Sequence, residues 1–375
     1  MTKRVLVVAG HAGSLINFRG ELLTAMVARG YDVHAAAPDL SGDFETSKQL
    51  EALKVTCHDV GFDRAGTNPL RDFSGICGLI RLVRRLRPQA MLCYTIKPVV
   101  YGMLAGWIAR VPRRFALITG LGYAFTGSAS GKRRRVQQLA RVFYRWALTR
   151  ASHVFFQNGD DAALFRELGV LDTDAPVTIV NGSGVNLDHY ALCGFPPPPI
   201  RFLLIARLLG DKGIHEFAAA AAQLRARNAP AEFHLVGATD QNPNAIAEDL
   251  VHQWVQGGKL TWHGALSDVR PAIAEAHVYV LPSYREGTPR TVLEAMSMGR
   301  PVITTDAPGC RETVRDGENG FLVPVRDADA LRKAMARFVD QPDLIEAMGR
   351  RSRALAKEKY DVHKVNAEML RVMDL

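Results

Sequence analysis

Cysteine is scarce, and what there is forms no pattern. The chain has 375 residues and five cysteines, Cys57, Cys77, Cys93, Cys193 and Cys310, an odd number scattered over most of its length. That excludes the paired framework of a small disulfide-rich domain, and no Cys-x-x-Cys or His/Cys cluster has metal-ligand spacing. A reducing compartment is the expectation. Long apolar runs are missing too. The longest, Pro98 to Ala109, is bounded by Lys97 and Arg110. It falls well short of the roughly 18 residues that a membrane-spanning helix needs. The opening MTKRVLVVAG runs straight into a strand-like segment, without the layout of a signal peptide. A cytoplasmic chain is therefore expected.

Negative charge is short in one half only. Residues 1–193 hold 24 Lys+Arg against 15 Asp+Glu, whereas 194–375 hold 23 of each, so the whole net charge of +9 belongs to the first half. That half should face something anionic: lipid headgroups, nucleic acid or a pyrophosphate-bearing substrate. No recognised DNA- or RNA-binding motif is present, so nucleic acid is not the expected partner.

Hydrophobic residues make up 47% of the chain, ample for two cores, and the length fits two domains. Arg4–Ala9 reads as a first strand. The loop Gly10-His11-Ala12-Gly13-Ser14 and a helix from about Ile16 to Arg29 follow. This is the opening of a Rossmann-type unit without the full G-x-G-x-x-G fingerprint. Strand-like segments at 33–37, 55–60, 90–95, 115–119, 153–157 and 177–180 alternate with helical ones at 73–86 and 99–109, which implies a parallel, doubly wound sheet. The exposed positions of the 73–86 helix and its end are basic: Arg81, Arg84, Arg85 and Arg87. Four consecutive prolines, Pro196–Pro199, form a stiff linker. Beyond it the pattern restarts with strand Arg201–Ala206, a loop carrying Arg207 and Lys212, and a helix from about Ile214. Two cations at the carboxyl end of a strand suit a diphosphate. Strands at 232–236 and 260–263 end in Gly237 and Gly264, which would let a base or ribose approach the backbone beside Val236.

The stretch Val278 to Val323 organises the second half. An apolar strand 278–281 leads into the turn Pro282-Ser283-Tyr284-Arg285-Glu286-Gly287-Thr288-Pro289. A helix over 290–298 should follow, with Thr288 as N-cap and Pro289 at its first position. Gly299-Arg300-Pro301 stops it and Val302–Thr305 is the next strand. Glu286 lies before the helix and Glu294 about a turn and a half inside it. Its N-terminus offers backbone N–H groups and partial positive charge to phosphate, while the carboxylates accept from sugar hydroxyls. A ligand that is part phosphate and part sugar is expected.

Glu286-x7-Glu294, set in Glu-Gly-Thr-Pro-Arg-x-x-Leu-Glu-Ala-Met and followed by Gly-Arg-Pro-Val-Ile-Thr-Thr-Asp-x-Pro-Gly-Cys-Arg-Glu, resembles glycosyltransferase family 4. About 45 residues agree in order. The wording is similar to the bacterial branch that builds capsule, O-antigen and glycoprotein glycans on a lipid carrier. The resemblance implies an α/β, GT-B fold, with two Rossmann-like doubly wound domains facing across a cleft. The first would be 1–195 with a returning helix at 356–375, the second 200–355. It implies retaining transfer from a nucleotide sugar, UDP-linked, to an undecaprenyl-diphosphate saccharide; no Asp-x-Asp motif stands in a plausible metal loop, so neither metal nor cofactor is expected. Arg207-x4-Lys212 matches the family's pyrophosphate-binding pair and Glu286 the carboxylate on the transferred sugar. Glu294 would hold the ribose, with Gly287, Thr288, Pro289, Gly13, Val236, Gly237, Gly264 and Asn181 completing the donor site. Asn181 opens a turn, Asn-Gly-Ser-Gly-Val-Asn, similar to the family's. Asn17 and Thr119 would face the acceptor. Many members carry a histidine near the position of Thr119; this chain has none there.

On a helical wheel of 131–150, Val136, Leu139, Ala140, Phe143 and Ala147 share one face, with Arg134, Gln138, Arg141 and Arg145 opposite. Two readings stand: a core helix with a solvated basic back, or a membrane-surface helix on an anionic inner membrane held through Arg134, Arg141 and Arg145. Two other classes of function also remain, a nucleotide-sugar enzyme of the same fold such as a 2-epimerase, and a basic nucleic-acid-binding protein.

Overall fold

The computed structural model describes residues 3–62, 69–121, 132–240, 242 and 244–375, with the side chains of 69, 70 and 132–137 outside that description. The chain divides into two compact units, Met1–Ser183 with His363–Leu375, and Gly184–Val362.

In the first unit the elements run β1 (Arg4–Val8), α1 (Gly13–Ala28), β2 (Asp32–Ala37), α2 (Phe44–Ala52), β3 (Thr56–Asp59), α3 (Pro69–Leu86), β4 (Ala90–Tyr94), α4 (Ile96–Ile108), β5 (Arg113–Ile118), α5 (Lys132–Leu148), β6 (His153–Phe156), α6 (Gly159–Glu167) and β7 (Val177–Ile179). The seven strands pair in parallel in the order β3-β2-β1-β4-β5-β6-β7. Such a sheet must be covered on both faces, so its strands are apolar throughout rather than alternating. Along β1, Leu6 and Val8 enter a core formed with α3, α4 and α5, while Val5 and Val7 enter a second core with α1 and the chain's last helix.

The second unit repeats the plan: β8 (Ile200–Ile205), α7 (Ile214–Arg225), β9 (Ala231–Val236), α8 (Glu248–Gln256), β10 (Thr261–Trp262), α9 (Arg270–Ala274), β11 (Val278–Leu281), α10 (Arg290–Ser297), β12 (Val302–Thr305), β13 (Gly320–Val323), α11 (Ala328–Asp340) and α12 (Asp343–Leu355). Its six parallel strands lie in the order β10-β9-β8-β11-β12-β13. The final helix, α13 (Val362–Met373), sends Met369, Leu370 and Met373 into the core of the first unit.

The proline run is not where the units part. Arg300, fully buried, donates to the carbonyls of Cys193 and Gly194, and His277 Nε2 lies 3.0 Å from the Pro196 carbonyl. The segment before the prolines is thereby built into the second unit. Tyr360 also stays there, buried among α10 and β11 residues, so only His363 onward joins the first unit.

The wheel drawn for α5 is rotated in the fold. Tyr144, Ala147 and Leu148 face the core, whereas Leu139 and Phe143, grouped with Ala147 on sequence, are exposed together with Val142. Tyr144 reaches the core through edge-to-face contact with Phe165 of α6, a partner that the wheel does not see. Arg145 is exposed and Arg141 half-buried, and the side chain of Arg134 lies outside the described residues. The basic positions on α3, Arg81, Arg84 and Arg85, are exposed as expected.

Candidate active site

The loops after β8, β9, β11 and β12 meet at the carboxyl edge of the second sheet, where open α/β sheets bind ligands. Close backbone packing fixes them. Gly213, with φ +71°, sits where a Cβ would lie 2.1 Å from the Pro282 carbonyl, so the loop carrying Lys212 is pressed onto the end of β11. Gly309, with φ +80°, packs the same way on the Glu286 carbonyl, and Glu286 N–H donates to Pro308 O at 2.9 Å. Ser283, buried behind the turn, donates to the Asp211 carbonyl at 3.1 Å.

These contacts bring Lys212 and Glu286 together. The Lys212 ammonium donates to Glu286 Oε1, both side chains largely buried. Burial works against the ammonium's charge, but Glu286 and Asp211 outweigh it, and the pKa lies above the ordinary lysine value. Arg207, at the end of β8, is half-exposed and donates from Nη1 to Asp240 Oδ2 at 2.7 Å.

Helix α10 begins one residue later than expected. Pro289 rather than Thr288 is its N-cap, without a side-chain cap hydrogen bond, and Arg290 is its first residue. The reason is that Pro289 takes an extended ψ of 110° and itself becomes the flanking residue. Inside the helix, Glu294 is 5% exposed and accepts from Arg290 Nε at 2.8 Å. It also shares a hydrogen bond with the Tyr190 hydroxyl. Burial raises the Glu294 pKa, and Arg290 and Tyr190 oppose that rise without cancelling it.

The Val236 side chain is buried in the core beside β11, so only its backbone is available. Gly237 is explained without a ligand, since a Cβ there would lie 1.8 Å from the Ala206 carbonyl. Gly264 has φ +67° with open space around it. Gly287 and Pro289 are buried in the turn beneath Glu286. Gly13 (the first residue of α1), Asn17, Thr119 after β5 and Asn181 after β7 belong to the first unit. The loop expected to continue from Thr119 through Tyr123 lies outside the described residues from 122 onward. Sequence reasoning missed Asp240, Tyr190 and Arg290. The i,i+4 spacing of Arg290 and Glu294 was a usable signal. Tyr190 lies about a hundred residues from Glu294 in the chain and gave none.

Models of two glycosyltransferase domains match the chain, "glycosyl transferase 4-like domain" over residues 17–182 and "glycosyl transferases group 1" over 199–341. The chain belongs to glycosyltransferase family 4. Among its curated relatives is the N,N'-diacetylbacillosaminyl-diphospho-undecaprenol alpha-1,3-N-acetylgalactosaminyltransferase of Campylobacter jejuni, 28% identical over 354 residues and 89% of each chain. Another is the UDP-Gal:alpha-D-GlcNAc-diphosphoundecaprenol alpha-1,3-galactosyltransferase of Escherichia coli, 24% identical and covering 72% of this chain and 71% of the relative. Among solved structures, sucrose-phosphate synthase from Thermosynechococcus elongatus superposes with a TM-score of 0.81 over 99% of this chain and 98% of that one, at 20% identity. HepE from Anabaena, in complex with UDP and glucose, gives 0.77 at 17% identity over 99% of each chain. The fold of this family 4 enzyme is thus GT-B. No helix among the described residues is long and apolar enough to cross a membrane.

Proposed function

We propose that this glycosyltransferase moves a hexose or N-acetylhexosamine from a UDP-sugar to an undecaprenyl-diphosphate-linked saccharide, with retention of configuration, at the inner face of the cell membrane. The observation that carries this reading is the largely buried Lys212–Glu286 pair at the carboxyl edge of the second sheet, with Arg207 and the start of α10 on neighbouring loops. The donor's diphosphate would take Lys212 from Glu286 and Arg207 from Asp240. Glu286, released, accepts from hydroxyls of the transferred sugar. Glu294, aimed by Arg290 and Tyr190, accepts from the ribose. The two cations stabilise charge as it grows on the leaving diphosphate, which is the moment when fixed charges accelerate most. The leaving phosphate lies on the face that the acceptor hydroxyl approaches in a retaining transfer and takes its proton. The lipid-linked acceptor is supported by the names of the Campylobacter and Escherichia relatives, and the UDP donor by the HepE complex. The charge of the donor diphosphate is met by the protein's own cations, so neither metal nor cofactor is invoked.

A thermal-shift panel of nucleotide sugars tests the donor, since the true one stabilises the fold by mass action. Product analysis then tests the reaction. Sugar transferred to a lipid-diphosphate acceptor, with its anomeric configuration kept, is the expected result. Release of nucleotide and free sugar without any acceptor identifies a 2-epimerase and overturns it.

A further inference from the structure

Tyr284 lies two residues before Glu286 on the turn that leaves β11, and it joins that turn to the starts of two helices. Its backbone N–H donates to the Asp211 carbonyl at 2.9 Å, beside Lys212. Its hydroxyl donates to Oε1 of Glu216, in the first turn of α7, at 2.7 Å. The Arg326 guanidinium, from the loop between β13 and α11, lies 4.7 Å over its ring and shares a hydrogen bond with the hydroxyl. Arg326 holds a left-handed φ of +59°, a strained conformation for a bulky side chain. On the far flank, the Glu286 N–H is fixed to the Pro308 carbonyl. The turn is therefore clamped on both sides, and the Tyr284 side chain is part of the clamp nearest Lys212.

Stability alone does not account for this arrangement. A hydroxyl, a carboxylate and a guanidinium give up water where an apolar side chain would also pack. Tyr284 is half-buried, and burial together with Glu216 pushes its pKa up to about 12, against the pull of Arg326. Oε2 of Glu216 is buried with no hydrogen-bond partner among the described residues, a further loss of stability. What the polar contacts add, and apolar contact does not, is direction: a hydrogen bond fixes an angle as well as a distance. Glu286 needs direction, because a carboxylate that is slightly misplaced no longer meets a sugar hydroxyl.

We propose that Tyr284, held by Glu216 and Arg326, is a positioning residue for Glu286 and governs the grip on the donor's sugar rather than on its diphosphate. This rests on the functional reading above, in which Glu286 accepts from the transferred sugar while Arg207 and Lys212 hold the diphosphate. The loop of Lys212 is pressed onto Pro282 through Gly213, a backbone contact that does not involve the tyrosine hydroxyl. Loss of that hydroxyl should therefore separate ligands that carry the sugar from ligands that lack it.

The test is calorimetric binding to the full chain of UDP, and of UDP-galactose or UDP-N-acetylgalactosamine, whichever binds wild type more tightly. Tyr284→Phe should weaken the nucleotide sugar by about tenfold, the scale of one hydrogen bond to a charged group, and leave UDP binding unchanged. Glu216→Ala should do the same, and Tyr284→Phe/Glu216→Ala no more than either alone, because all three break one contact. Glu216→Gln keeps an oxygen for the hydroxyl and should recover most of the loss. Thermal melting of each variant confirms that it is folded. Equal weakening of UDP and nucleotide sugar, unchanged binding of both, or additive losses in the double variant overturns the proposal. Glu286→Ala, measured alongside, separates the proposal from the functional reading. If that variant loses the sugar's contribution and Tyr284→Phe keeps it, the positioning role alone falls. If Glu286→Ala leaves nucleotide-sugar binding intact, the sugar-binding role of Glu286 falls and the positioning role falls with it.

Discussion

Each cation proposed to bind the donor is held by an acid: Lys212 by Glu286, Arg207 by Asp240. The pairs differ in kind. Arg207 is half-exposed, so its pair is worth little and yields readily to a phosphate. Lys212 is largely buried, so removing it strands a carboxylate as well as a charge. Arg207→Ala and Lys212→Ala should each lower turnover by roughly 100- to 1000-fold, the usual loss for one preorganised charge stabiliser. Steady-state kinetics within a few-fold of wild type for both would remove them from the site. Glu294 carries a different prediction. Its carboxylate must be ionised to accept from two ribose hydroxyls, yet burial favours the protonated form. The donor KM should therefore rise as pH falls through the Glu294 pKa. In Arg290→Met that rise should begin at higher pH, because Arg290 is the chief group holding the pKa down. Identical KM–pH profiles for the variant and wild type would mean that Arg290 has no such role.

At the level of elements, the loop from β12 to the short 3-10 turn at Arg311–Thr313 braces the loop carrying Glu286 through Gly309. Gly309→Ala pairs a left-handed backbone with a Cβ pushed onto a carbonyl. It should cost about 1–3 kcal/mol of stability, and turnover should fall with it as the Glu286 turn shifts. Thermal melting and kinetics on the same sample check both. Edge strand β3 and its neighbour β2 carry a second device. His34 of β2 and His58 of β3 stack with their rings 5.1 Å apart and Nδ1 to Nε2 at 2.9 Å. Burial, with the charges of His34 and Arg85 adding to it, pushes the His58 pKa down from 6.5 to about 4, against the pull of Asp59. The unfolded chain thus binds more protons than the native one between those values. The stability that neutral His58 contributes is complete above pH 6.5 and is lost as pH falls towards 4. His58→Gln should flatten that acid limb in denaturant titrations at pH 7, 5.5 and 4.5; an unchanged slope would show that His58 does not control it.

For the molecule as a whole, two sheets of the same topology divide the work unequally. The second unit concentrates carboxylates and cations in compensating pairs at one sheet edge, while the first unit carries the chain's excess of Lys and Arg, with Arg81, Arg84 and Arg85 exposed on α3. If the chain's own cations meet the diphosphate, transfer should continue undiminished in EDTA. Loss of turnover that Mg²⁺ or Mn²⁺ restores would show that a metal shares the task.

The sequence by itself determined the family and the two-fold repetition of a parallel α/β plan, and it located the candidate site residues in the chain. These depend on local information. Buried parallel strands read as short apolar runs, and Glu286, Arg207 and Lys212 sit in loops that lead into helices, with Glu294 inside the helix that follows Glu286. Only the tertiary structure decided which groups meet. Lys212 reaches Glu286 across 74 residues of chain because two glycine-packed loops converge on β11. Tyr190 finds Glu294 because the segment before the prolines folds onto α10. The rotation of α5 was likewise beyond any wheel. A wheel ranks faces by hydrophobicity alone, and on that measure Leu139 and Phe143 belong inside; the core was already filled by Tyr144, Ala147 and Leu148. Which apolar side chains stay outside is settled by how much room the neighbouring helices leave, and that is a property of the packed unit rather than of any stretch within it.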